Sequence, residues 1–108
     1  MKKILLFISM FILCGCNDGN LSKDLCNFDE NTLIIDVRSK EEYNLNHLKN
    51  AINIEVNSLE ESIADEVKDK KQEIVVYCTS GNRSKQAKRI LENLGYKNVV
   101  DIGSINNC

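Results

Sequence analysis

Cys78-Thr79-Ser80-Gly81-Asn82-Arg83-Ser84 is the stretch of this 108-residue chain whose residue types and spacing point most directly at chemistry. The thiol follows an apolar run, Glu73-Ile-Val-Val-Tyr77, and the polar residues after it can turn tightly around it. Gly81 is free to adopt positive φ. Successive backbone N–H groups in such a loop make an anion-binding nest. The first turn of a following helix adds partial positive charge. A thiol at the centre is expected to fall below the free value of about 8.5, and Arg83 adds a fixed positive charge at the rim. A lone cysteine in a small protein is ordinarily a buried hydrophobe. The strand end, the glycine and the helix start set Cys78 apart from that. A thiolate in an amide cradle serves both sulfur transfer and cysteine phosphatases, and loop length divides the two. Phosphatases use Cys-x5-Arg around a whole phosphate. Here the run is Cys-x4-Arg, a smaller ring suited to one sulfur bonded to the cysteine sulfur.

The elements that must hold this loop are legible in the periodicity. Leu33-Ile-Ile-Asp-Val37 and Glu73–Tyr77 are short, mostly apolar, β-branched runs, the pattern of strands buried on both faces. Ala51–Ile54 and Asn98–Ile102 read as two further strands. Ser39-Lys-Glu-Glu42 is a capping box opening a short helix through about Leu45. Ser58-Leu-Glu-Glu61 is expected to open a second, with Leu59, Ile63 and Val67 along one face. Lys68–Gln72 is a solvated turn. A third helix is expected from Ser84 to Leu94, carrying Ala87, Ile90, Leu91 and Leu94 on one side and stopped by Gly95. Strands alternating with helices imply an α/β fold, a small parallel sheet with helices on both faces. Reactive groups of such sheets lie beyond the strands' carboxyl ends, which is where Cys78 falls.

Composition removes several other functions. The chain is 43% hydrophobic and 28% charged, with no Pro and 5 Gly, which excludes collagen-like and low-complexity readings. A formal charge of −2 offers no basic surface for nucleic acid. The single His, His47, and the lack of any CxxC pair among the 5 Cys exclude a His-rich metal site and a zinc ribbon, so no metal or cofactor is expected.

The Cys78 loop resembles the active-site loop of rhodaneses, the sulfurtransferase family. A second block, Asp36 to Asn53, is similar to the family's first signature through Asp36, Arg38, Glu42, Tyr43, His47, Leu48, Ala51 and Asn53. Two family glycines are replaced by Asn46 and Asn50, the residue type most tolerant of left-handed backbone. Gly95 to Gly103 also resembles the family, with Ser104 in place of a second glycine and no closing Trp. With one domain behind a signal, the chain looks like the exported phage-shock-protein-E type. The resemblance implies that Cys78 takes the outer sulfur of thiosulfate, holds it as a persulfide and passes it to cyanide or a thiol. It implies that the amides of Thr79, Ser80, Gly81, Asn82, Arg83 and Ser84 cradle that sulfur while Arg83 attracts the donor. Asp36 and Arg38 correspond to a structural pair, with Arg38 expected to reach Glu42. His47 is expected to be structural, because an ionised thiolate needs no base. The alternatives are a persulfide carrier or redox partner of another exported protein, and a non-catalytic rhodanese-like binding module. A monomer is expected.

Met1–Cys16 reads as an address. Two lysines precede an apolar run too short to cross a bilayer, which needs about 20 residues. Leu13-Cys14-Gly15-Cys16 resembles a bacterial lipobox, and Cys16, after small Gly15, is the expected lipid acceptor. Residues 1–15 are then a lipoprotein signal peptide, 16–24 a tether, and 25–108 the domain. That implies export, with a lipid anchor to a membrane on the periplasmic side or at the cell surface. Cys26 and Cys108 remain as an even pair in an oxidising compartment. They can form a disulfide or stay as thiols, or Cys108 can reach Cys78.

Overall fold

The computed structural model describes residues 26–108, so the expected signal peptide, the expected lipid acceptor Cys16 and the expected tether lie outside the described residues. The elements are β1 (Leu33–Asp36), α1 (Lys40–Leu45), β2 (Ile52–Asn53), α2 (Val56–Glu66), β3 (Glu73–Cys78), α3 (Asn82–Asn93) and β4 (Asn98–Ser104), then a 3₁₀ turn at Ile105–Asn107. The strands form one all-parallel sheet in the order β2-β1-β3-β4. This is the expected α/β architecture.

Alternation along the strands divides the core in two. Ile35, Ile74, Val76 and Cys78 face α2 and α3, meeting Leu59, Ile63, Ala87 and Leu91. Ile34, Val75 and Tyr77 face the other way, onto Ala51 and the partly buried Phe28, Tyr43, Leu48 and Ile105. Two full helices therefore cover one face. The short α1, the chain after it and the terminal turn cover the other.

Local chemistry explains most boundaries. Ser39 caps α1 as expected, its hydroxyl accepting from the Glu42 N–H while the Glu42 carboxylate accepts from the Ser39 N–H. Gly95, at φ +100, ends α3 with its own N–H on the Glu92 carbonyl and that of Tyr96 on the Leu91 carbonyl, a Schellman closure. The capping box expected at Ser58 does not form. Helix α2 starts at Val56, with Glu55 at its N-cap and no side-chain cap. Tertiary contacts pull the start forward: Val56 is buried, and its N–H donates to the Val37 carbonyl. Likewise α3 begins at Asn82, two residues before the expected Ser84. Strand β4 runs past Ile102 to Ser104 through an irregularity, because Val76 pairs with Asp101 but Tyr77 with Gly103.

Candidate active site

The chain leaves β1 toward β2 on one side and reaches β3 and β4 on the other, so the order of strands reverses between β1 and β3. In open parallel sheets the crevice outside the carboxyl ends at such a reversal is where ligands bind. Asp36 and Arg38 stand at the end of β1, and Cys78 is the last residue of β3.

Cys78 is fully buried, and its side chain points into the start of α3. Only Thr79, Ser80 and Gly81 separate the strand from the helix. Gly81 sits at the helix N-cap with φ +97, a conformation that costs a side-chain-bearing residue roughly 1–2 kcal/mol. That turn aims the Gly81 N–H at Cys78 Sγ, 3.0 Å away. The Ser84 N–H, one of the helix's unpaired first-turn donors, lies 3.4 Å from the same sulfur. The Ser84 hydroxyl is 3.6 Å from Sγ and 3.2 Å from the Gly81 carbonyl, so its rotor can serve either. Burial pushes the thiol up. The Ser84 hydroxyl and the N–H groups of Ser84, Gly81 and Arg83 outweigh it and leave Cys78 below the ordinary cysteine value. The geometry favours a buried thiolate, or any anion bonded to that sulfur. Thr79, Ser80 and Asn82, also expected in the cradle, are exposed.

Arg83 does not stand free at the rim. Its guanidinium grips the Glu42 carboxylate with both terminal nitrogens, at 2.7 and 3.2 Å. The Thr79 hydroxyl donates to the same carboxylate at 3.2 Å. Glu42 thus ties both ends of the Cys78 loop to α1. The Arg83 guanidinium, then the Ser39 N–H, hold its carboxyl well below the usual range. The Glu42 carboxylate is thus not the partner of Arg38, which reaches Glu42 only at its backbone carbonyl, 3.5 Å from Nη2.

Arg38 instead turns back on Asp36, with its Nε and Nη2 on the carboxylate at 2.8–3.1 Å and Nη2 also donating to the Asn46 carbonyl at 2.7 Å. Both side chains are buried. The Tyr77 hydroxyl donates to Asp36 at 2.8 Å and accepts from the Leu48 N–H, and burial pushes it up. Asn53 donates to the Asp36 and Arg38 carbonyls. This network braces the β1 end beside the loop. His47 stacks on Tyr43 at 3.8 Å and bonds the Tyr43 carbonyl through Nδ1. Of the two substituted glycine positions, Asn50 is left-handed at φ +68, whereas Asn46 is extended at φ −169 and makes no such demand.

Tyr77 escaped the sequence reading because nothing local distinguishes it from an aliphatic strand residue. Glu42 was found as a helix cap, but its partner lies 41 residues away and carries no signal in spacing. Cys26 and Cys108 are joined in a disulfide, with Cα atoms 5.7 Å apart, and Cys78 is a free thiol. Among the described residues, no group of three His, Cys, Asp or Glu is placed to hold a metal ion. None of the helices described is long and apolar enough to cross a membrane.

Comparison with known proteins gives a concordant picture. A family model described as rhodanese-like domain matches residues 18–106. Thiosulfate sulfurtransferase PspE of Escherichia coli is 44% identical over 71 residues, covering 66% of this chain and 68% of that protein. Adenylyltransferase and sulfurtransferase uba4 of Ogataea parapolymorpha is 42% identical over 69 residues, 64% of this chain but 18% of that longer protein. A solved structure titled rhodanese with anions from E. coli superposes with a TM-score of 0.69 at 40% identity, covering 71% of this chain and 91% of that one.

Proposed function

The chain belongs to the rhodanese-like domain family, and from that premise we propose that it is a thiosulfate sulfurtransferase working through a persulfide on Cys78. The observation that carries the reading is the buried Cys78 sulfur facing the Gly81 and Ser84 N–H groups. The Cys78 thiolate attacks the outer sulfur of thiosulfate. A new S–S bond forms to Cys78, and the donor's S–S bond breaks with its electron pair leaving on sulfite. The resulting persulfide keeps one negative charge, which the Gly81 and Ser84 N–H groups and the Ser84 hydroxyl help to offset. Cyanide or a thiolate then takes the terminal sulfur and returns Cys78 to its starting state. Since Cys78 has no exposure of its own, the Thr79–Gly81 stretch yields to admit the donor, a short-range gating motion.

The intact mass of the purified domain should rise by one sulfur atom after thiosulfate and return on adding cyanide. A mass that never changes would remove this mechanism. We also propose the exported, lipid-anchored form, supported by the Lys2-Lys3 start, the short apolar run and Gly15-Cys16. A lipid precursor should label the wild type and not Cys16→Ala, and label kept by the variant would count against the anchor.

A further inference from the structure

We infer that Glu42 is a specificity-determining residue, a built-in carboxylate that occupies the Arg83 guanidinium and the Thr79 hydroxyl of the loop and disfavours doubly charged sulfur donors. The inference rests on the sulfurtransferase reading and deepens it. Arg83 and Thr79 are the groups an anionic donor would be expected to meet beside Cys78. Both are already committed: Arg83 through two hydrogen bonds, and Thr79 through its hydroxyl, all to the two oxygens of Glu42. Arg38, the other arginine at this end of the sheet, is spent on buried Asp36. A donor reaching the loop therefore meets a neutralised ion pair where a free guanidinium would otherwise stand.

Glu42 is itself held firmly in place. The Ser39 N–H and hydroxyl bind its Oε1 at 3.1 and 3.0 Å, so swinging the carboxylate away breaks its half of the capping box. Its pKa, lowered by Arg83 and the Ser39 N–H, keeps it charged well into mild acid, so lowering the pH does not lift the block. The pair is about one third exposed, which makes the environment water-like. There, one unit charge set against a dianion a few Å away alters affinity about tenfold, and half as much in logarithmic terms against a monoanion.

The test compares two donors of similar shape and different charge, thiosulfate and methanethiosulfonate. Each gives its outer sulfur to the Cys78 thiolate, releasing sulfite or methanesulfinate respectively. Glu42→Gln keeps the side-chain shape and removes the charge. Its ratio of kcat/KM for thiosulfate over methanethiosulfonate should rise about threefold, carried by KM and shrinking in concentrated salt. Adding Arg83→Ala to Glu42→Gln should abolish the rise. An unchanged or lowered ratio in a variant that melts like the wild type would overturn the inference. If Glu42→Gln and Glu42→Ala both lose the cooperative melting transition, Glu42 is a strut and the inference also falls. A wild type that takes sulfur from neither donor would instead sink the sulfurtransferase reading itself.

Discussion

A buried thiol becomes useful only if its anion is stabilised where it sits, and in this site Gly81 and Ser84 make the closest contacts that do so for Cys78. The Gly81 N–H and the Ser84 N–H and hydroxyl converge on one sulfur. Cys78→Ser should abolish sulfur transfer with the melting temperature nearly unchanged, since a hydroxyl is close in size but not ionised near neutral pH. Residual transfer at the wild-type rate would place the nucleophile elsewhere. The pH profile offers a finer check. In the proposed mechanism the thiolate is the reacting form, so activity should fall on the acid side as Cys78 becomes protonated, below the pH where an ordinary cysteine would titrate. Ser84→Ala removes a donor to the thiolate, which raises the thiol's pKa. The acid limb of kcat/KM should therefore move to higher pH, and a limb that stays put would show that the hydroxyl contributes nothing.

The elements matter here mainly through how they turn. Between α1 and β2 the chain passes two asparagines, Asn46 and Asn50, and only one bears a conformational load. Asn50 is left-handed at φ +68, where Asn is the best-tolerated residue after Gly, and Asn46 is extended. Asn50→Val should cost roughly 1–2 kcal/mol in chemical denaturation, because a β-branched side chain crowds the backbone there. Asn50→Gly and Asn46→Val should be close to neutral. Equal losses at both positions would mean that side-chain contacts, and not backbone strain, explain the two asparagines. At the other end of the sheet, Gly81 does the same service for the Cys78 loop, turning β3 into α3 within three residues.

At the scale of the whole domain, the Cys26–Cys108 disulfide closes nearly all of the described chain, with a sequence separation of 82. It fastens the segment leading to Phe28 to the terminal 3₁₀ turn, and Phe28 and Ile105 both pack on the second core cluster. The chain-entropy model values a closure of this length at about 4 kcal/mol. Replacing both cysteines by serine should lower the unfolding free energy by up to that amount while sparing the Cys78 persulfide. The staple is distant from the cradle in sequence and makes no bond to it. If the double variant unfolds at the wild-type denaturant midpoint, the disulfide is no staple.

The Cys78 loop between β3 and α3, its Gly81 turn, the two buried strands and the capping box at Ser39 were all legible in the sequence. Each is written in a contiguous run, where residue type and backbone preference act over a few positions. What only the tertiary structure decided lies between residues far apart in the chain. The start of α2 moved to Val56 because burial and a bond to the Val37 carbonyl outweighed the local Ser58 signal. Arg38 pairs with Asp36, as expected, and not with the Glu42 carboxylate, since the fully buried carboxylate costs more to leave unpaired than the one that is one third exposed. Glu42 was left to Arg83, and two strand ends brought side by side made that meeting possible. Local preference is a property of the chain. The partner of a charge is a property of the packed molecule, because burial sets the cost of leaving it alone.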